Sequence, residues 1–299
     1  MGDLQLVLKG IFLNLIVDMK HKHVIAYAVL LAAFLPAMAW AEQPKAEIEV
    51  RYNARSYFVN GKERNQTYHL LANQMYSKYF SPKSEQIDSL TSTPEGEAKF
   101  KQSQQAAMEA MMASGVIDMS RMPRKTENIY VVKSSADSVM TVYDILGDDG
   151  VVYDEPLSEM TWKIGDSTRT IMGYDCVAAY TDYHGRRWTA WFAPDIPIAD
   201  GPWKFHGLPG LILEVTETTG LGFFADGIEK NDKPIVKVYG ESNYSKADRK
   251  EILRTKRANM DNPKGTLEAK GIRGVMVLEN PALLTKPGDK TDFLETDYR

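Results

Sequence analysis

Asp200-Gly-Pro-Trp-Lys-Phe-His-Gly-Leu-Pro-Gly-Leu-Ile-Leu213 is the stretch on which the fold turns. Gly201, Gly207 and Gly210 with Pro202 and Pro209 rule out a helix or a central strand, yet the run ends in the apolar start of a strand. Leu208-Pro209-Gly210-Leu211 has the chemistry of a type II turn, with Pro setting φ at the second position and Gly accepting a positive φ at the third. The simplest reading is a rigid corner that re-aims the chain into a sheet. The competing reading makes it the rim of a binding cleft, with Trp203, Phe205 and His206 presented between two stiff turns. Turn-forming Gly and Pro have a sufficient backbone reason to be there, so the structural reading outweighs the other.

Working outward, short β-type runs surround this corner. Upstream lie Asn128 to Lys133, Ser138 to Leu146, Val151 to Asp154, Glu159 to Lys163 and Arg169 to Met172. Gly147 to Gly150 and Asp166-Ser167 read as turns between them. Tyr174 to Tyr183 and Arg186 to Ala193 are joined at His184-Gly185, a two-residue loop of hairpin type. Downstream, Leu211 to Thr216 and Leu221 to Lys230 flank Thr219-Gly220, and Pro234 to Val238 is a further short run. Nearer the N-terminus, Ala46 to Tyr52 alternates like a half-buried strand, and Asn60-Gly61 is a hairpin turn. Tyr68 to Phe80 is a mixed aromatic stretch, and Ser81 to Thr93 reads as a polar loop.

Two helices stand out. Thr93-Pro94-Glu95 supplies an N-cap hydroxyl, Pro at the first helical position and a carboxylate in the first turn. Phe100, Ala107, Met108, Met111 and Met112 follow at helical spacing, and Gly115 is the stop. Ser114 to Thr126 reads as a connector. Ser245 with Asp248 reads as a capping box opening a basic helix to about Asn259. Its face of Lys246, Arg249, Lys250, Arg254, Lys256 and Arg257 reads as solvated. The tail from Pro263 is irregular apart from Gly274 to Leu278. The expectation is a β-rich α+β fold: one curved antiparallel sheet with two main helices, a half-barrel like that of periplasmic lipoprotein carriers.

A longer block around the corner resembles a known family. Trp162, Ile171-Met-Gly173-Tyr174, Cys176, Ala178, Gly185-Arg186, Ala190-Trp191-Phe192-Ala193, Ile196-Pro197 and Gly201-Pro202 run in order into Gly207-Leu208-Pro209-Gly210-Leu211-Ile212. This order is similar to that of the GLPGLI family, exported Bacteroidota proteins of unknown function. The resemblance implies a cell-envelope location and a β-rich fold, and it supplies no catalytic residue to carry over.

Compartment is read from the N-terminus. Met19 begins a better leader than Met1, because Asp3 and Asp18 do not suit a signal peptide. Lys20 to His23 form the charged region, and Val24 to Leu35 the apolar one. Ala39-Trp40-Ala41 forms the cleavage site, so residues 1–41 are expected to be removed and 42–299 to form a single domain. The apolar run is shorter than the ~20 residues of a membrane span. No lipoprotein cysteine follows it, so the mature chain is expected to be periplasmic or secreted without a transmembrane segment. The leader takes away three of 36 basic and two of 40 acidic residues. What remains is mildly acidic, with no basic block to bind nucleic acid. One cysteine in an exported chain excludes an internal disulfide framework.

Candidate chemistry is sparse. Met108, Met111 and Met112, with Met119 and Met122, could ligate Cu(I), but a helix face packed into the core is the better reading. His69, His184 and His206 are the only mature histidines and show no ligand spacing. A hydrolase would need His184 or His206 to meet a carboxylate such as Asp200 and a nucleophile, and Cys176 reads as a buried thiol. Asp148-Asp149 lacks the spacing of a calcium loop. No metal or cofactor is expected. The leading expectation is a non-enzymatic envelope protein that binds an apolar small molecule or a partner protein in the sheet's concavity. Trp188 or Trp191, with Trp203 and Phe205, would stand at the mouth.

Overall fold

Twelve strands form one open sheet among the residues described by a computed structural model, which are 43–58, 61–115, 121–125, 128–235, 238–262, 265–266 and 293–299. The leader with its cleavage site, Asn60 of the first turn, Met119 and the expected strand at 274–278 lie outside these. In chain order the elements are β1 (Ile48–Tyr57), β2 (Glu63–Ala72), β3 (Tyr76–Phe80), α1 (Pro82–Thr91), α2 (Pro94–Ser114), β4 (Tyr130–Ser134), β5 (Val139–Leu146) and β6 (Asp149–Pro156). Then come β7 (Lys163–Ile171), β8 (Tyr174–Tyr183), β9 (Arg186–Ala193), β10 (Leu211–Glu217), β11 (Gly222–Lys230), β12 (Tyr244–Lys246) and α3 (Arg249–Asp261). The sheet order is β12-β6-β5-β4-β3-β2-β1-β11-β10-β9-β8-β7, and β12 with β6 is the parallel pair in an otherwise antiparallel ladder.

Connectivity forces this sheet to curve. β6 and β7 are ten steps apart in the order, roughly 48 Å on a flat sheet at ~4.8 Å per step. Only 157–162 join them, and seven Cα–Cα steps span at most ~25 Å. The two flanks therefore curl toward each other. Val50, Tyr52, Leu70, Tyr79, Val131, Val142, Trp188, Phe192 and Phe223 belong to the resulting core.

Local chemistry explains the best-defined elements. His184 and Gly185 both take positive φ, 49° and 81°, as a tight right-twisted hairpin requires. α2 starts on the Thr93 cap with Pro94 behind it and stops at left-handed Gly115.

Several expectations are corrected. Ser81 to Thr93 is largely helical: the Ser81 hydroxyl caps α1 and Pro82 opens it, and the buried positions Ser84 and Asp88 are polar, so no apolar period announces the helix. The strand expected over Glu159 to Lys163 does not form: Leu157–Glu159 is a 3-10 turn in the crossing, and only Lys163 enters β7. Asp166-Ser167 falls inside β7, where the pairing slips between Ile164↔Ala179 and Thr168↔Val177. Ser245 lies in β12, and α3 instead starts on Asp248, whose carboxylate accepts from the Glu251 N–H at 2.9 Å. Met111 is buried, but Met108 and Met112 are 40% and 76% exposed, so the methionine face is not packed. Leu208 to Leu211 is not a type II turn: the Gly210 N–H bonds to the Leu208 carbonyl at 2.8 Å, a γ-type closure centred on Pro209. Gly210 sits at φ 151°, and a Cβ there would fall 2.3 Å from the Ala193 carbonyl oxygen.

Candidate functional site

The corner lies inside the curve and ties its walls together. Lys133 points inward from β4 and donates to Asp200 Oδ1 at 2.5 Å, the Gly201 carbonyl at 2.9 Å and the Phe205 carbonyl at 3.1 Å. Burial lowers the Lys133 pKa, and the Asp200 carboxylate opposes that shift. Tyr52 of β1 donates to the Ile212 carbonyl at 2.7 Å. Trp162 of the crossing segment donates its indole N–H to the His206 carbonyl at 2.8 Å. The His206 ring faces the Lys204 carbonyl at 2.8 Å and the Leu157 carbonyl at 2.9 Å. Carbonyl oxygens only accept, so His206 serves as a donor that pins the crossing. Trp188, Trp203, Phe205 and Phe223 pack around it, with Trp188 and Phe205 edge to face at 4.9 Å. Trp203 holds a positive φ of 51°, a strained value for a bulky residue.

Beside the corner is a buried ionic knot. Lys204, fully buried, has Nζ 2.6 Å from both Glu155 and Glu295. Its ammonium also lies 4.9 Å from the Tyr153 ring centre. His184 stands 3.0 Å from Glu155 and 3.4 Å from Asp297. Arg249 of α3 reaches Glu155 at 3.1 Å, Asp297 at 2.5 Å and Glu295. Burial alone would raise Glu155, but the His184 contact and the Lys204 charge outweigh it and hold the carboxyl at about 2. The Arg249 hydrogen bond holds Asp297 at about 2 as well. The basic helix face expected to be solvated is thus partly a docking surface for the C-terminus, and Arg254 adds a bond to the Tyr298 carbonyl at 3.0 Å.

Glu155, His184 and Glu295 could converge on a metal ion, their ligand atoms lying within 4.8 Å of one another. Lys204 and Arg249 already supply cations to these carboxylates, and a divalent ion would have to displace or face them. The donor set therefore fits an ion-pair network better than a metal centre.

Between the inner face of the sheet and α3 lies a cavity of about 450 Å³, within the ~300–1,000 Å³ usual for ligand sites. Tyr68, Tyr79, Tyr153, Trp203 and Phe223 wall it, and Phe293 and Leu294 close one side. α3 contributes Arg249, Ile252, Leu253, Lys256 and Met260, positions that share one helical face. Asn128 also lines it, and its buried Oδ1 has no hydrogen-bond partner among the described residues.

Of the residues singled out in the sequence, Trp203 reaches this cavity, while Trp188, Phe205 and His206 are buried in the corner cluster. Trp191 lies elsewhere, half-buried beneath the Arg169 guanidinium at 4.2 Å, and Arg169 pairs with Glu214 at 2.6 Å. Asp200 meets Lys133 rather than a histidine. Cys176 is buried with a raised pKa, chiefly from desolvation. Seven extended residues, roughly 23 Å, separate it from Tyr183 next to His184. The knot and the cavity floor were not found from the sequence. Two signals were present: Glu155 is in phase with buried Val151 and Tyr153, and Lys133 with buried Val131.

A family model described as a protein of unknown function (Porph_ging) matches residues 183–214. That segment holds the His184-Gly185 turn, β9 and the corner. No curated protein matches the chain. Among solved structures, PNGF-II in two crystal forms is 14% identical over 71% and 70% of this chain, with TM-scores of 0.45 and 0.44. This chain spans about a third of the length of PNGF-II, 32% and 33%. A LolA superfamily protein from Nitrosomonas europaea is 8% identical over 66% of this chain and 91% of its own, with a TM-score of 0.26.

Proposed function

We propose that this is an exported cell-envelope protein that binds an apolar small molecule in the cavity between the curved sheet and α3. The observation that carries this reading is the cavity itself: among the described residues, aromatic side chains line a half-open space of about 450 Å³ beside the corner. The leader-like segment before Glu42 and the GLPGLI-like block support export and an envelope location.

Two measurements test this. Protein recovered from envelope fractions should have an intact mass that begins at Glu42. Native mass spectrometry of the same material should show a bound apolar compound, lost in Ala54→Trp, which fills the cavity from β1. Protein recovered with its leader in the cytosol would refute export. Ligand-free protein that also fails to bind dodecanol would refute the binding role.

A further inference from the structure

Residues 293–299, Phe-Leu-Glu-Thr-Asp-Tyr-Arg, face two ways. Phe293, Leu294 and Glu295 line the cavity, while Glu295 and Asp297 enter the ionic knot. The segment adds no strand to the sheet and is fastened at separate points instead. Arg186 donates to the Phe293 carbonyl at 3.1 and 2.8 Å. The Thr296 N–H donates to the His184 carbonyl at 2.9 Å, and its hydroxyl to the Gly185 carbonyl at 3.0 Å. A Cβ on Gly185 would fall 2.5 Å from that hydroxyl oxygen, so the segment lies directly on the β8–β9 turn.

Glu155 makes this strap separable. Lys204, His184 and Arg249 lie 2.6, 3.0 and 3.1 Å from it, and each also meets a carboxylate of the strap. When the strap lifts, all three keep Glu155, and Arg186 keeps Glu217 at 3.6 Å. No buried cation is stranded, which is the cost that would otherwise forbid opening. A short segment outside the ladder therefore belongs with the elements that open locally, ahead of the sheet. An occupant of the cavity touches Phe293 and Leu294 only while the strap is docked. It binds the docked state tighter, and linkage then requires it to hold the strap down.

Resting on the cavity reading above, we propose that residues 293–299 are a strap that opens while the sheet stays folded and that an apolar ligand holds shut. Loading of the cavity is then displayed on the surface, as a docked or a released segment.

The test measures amide hydrogen exchange of the purified full chain with and without dodecanol, with calorimetry reading dodecanol binding in parallel. In ligand-free protein, protection of the strap amides should be at least about tenfold lower than that of β9. Saturating dodecanol should slow their exchange at least about fivefold, the low end of a typical coupling, and leave α2, which does not line the cavity, unchanged. Asp297→Asn removes a latch contact outside the cavity, so it should speed strap exchange about tenfold and keep the dodecanol effect. Leu294→Ala should weaken dodecanol binding and shrink that effect. The comparison of wild-type protein with and without dodecanol needs no variant, so a misfolded substitution does not rescue the proposal. Strap amides that exchange only together with β9, or that ignore dodecanol shown to be bound, would overturn the strap and leave the cavity reading intact. Absence of dodecanol binding by calorimetry would overturn the cavity reading and the coupling with it, however early the strap exchanges.

Discussion

The corner and the cavity share one concave face, and Trp203 belongs to both, yet they use aromatic residues in opposite ways. At the corner, rings fill space and buried polar atoms find partners across long sequence distances: Lys133 with Asp200, Trp162 with His206, Lys204 with Glu155 and Glu295. In the cavity, rings of the same kind line space that no described residue fills. A dense network of ion pairs and hydrogen bonds resists substitution. Unfilled space leaves room for a guest. The contrast predicts that changes at the corner cost stability and changes around the cavity cost affinity.

The largest effect should come from Lys133→Met, which leaves the Asp200 carboxylate buried without its cation. Breaking such a pair costs about 3–5 kcal/mol, read by urea unfolding. A loss below about 1 kcal/mol would remove the corner's claim to hold the fold. Acid should come next. Glu155 is held at about 2, below its ordinary 4.5, so its contribution is complete above the unfolded pKa and fades as pH falls from about 4.5 toward 2. The loss is on the order of 3 kcal/mol. It should shrink in Glu155→Gln, which starts less stable but is flatter across that window in pH-dependent melts.

Gly210→Ala should cost about 1–3 kcal/mol, because neither its φ nor the 2.3 Å approach to the Ala193 carbonyl admits a side chain. Gly173→Ala is the control: it shares a positive φ, but its Cβ would meet nothing within 4 Å, so thermal unfolding should rank it as the milder change. The smallest effect should be at the cavity rim and beyond. Met260→Gln and Met112→Lys, both at exposed positions, should each move stability by less than about 0.5 kcal/mol, as surface changes do. A large loss at Met260 would erase the distinction between the two regions.

Much of the corner was legible because backbone demands are written locally. Gly and Pro announce a fixed path, and His184-Gly185 marks the end of β8 and the start of β9 to the residue. The helix caps at Thr93 and Gly115 are equally local. Where packing is polar, the pattern fails. α1 buries Ser84 and Asp88, and Asp88 is bonded by Tyr130 and Lys125, so hydropathy sees only a loop. β12 is three residues long, and its parallel pairing with β6 leaves no alternation to read. The ionic knot draws on β6, the β8–β9 turn, the corner, α3 and the C-terminal segment, and no spacing rule links those positions. The cavity is harder still, since empty volume has no residue to represent it. Its nearest trace is the stripe Arg249, Ile252, Leu253, Lys256 and Met260, which reads as an ordinary amphipathic face.

The placement of β1 between β2 and β11 governs how the molecule assembles. Ile48 faces Ala72 on one side and Lys230 on the other. β1, the first strand among the described residues, therefore stays half-paired until β11 docks. The seam between the two meanders closes late, across a long loop, and non-local closure of this kind makes folding slow. Until then the outer edge of β1 is open to any other strand. The unfolded chain is most exposed to aggregation in the interval before residues 222–230 close that edge.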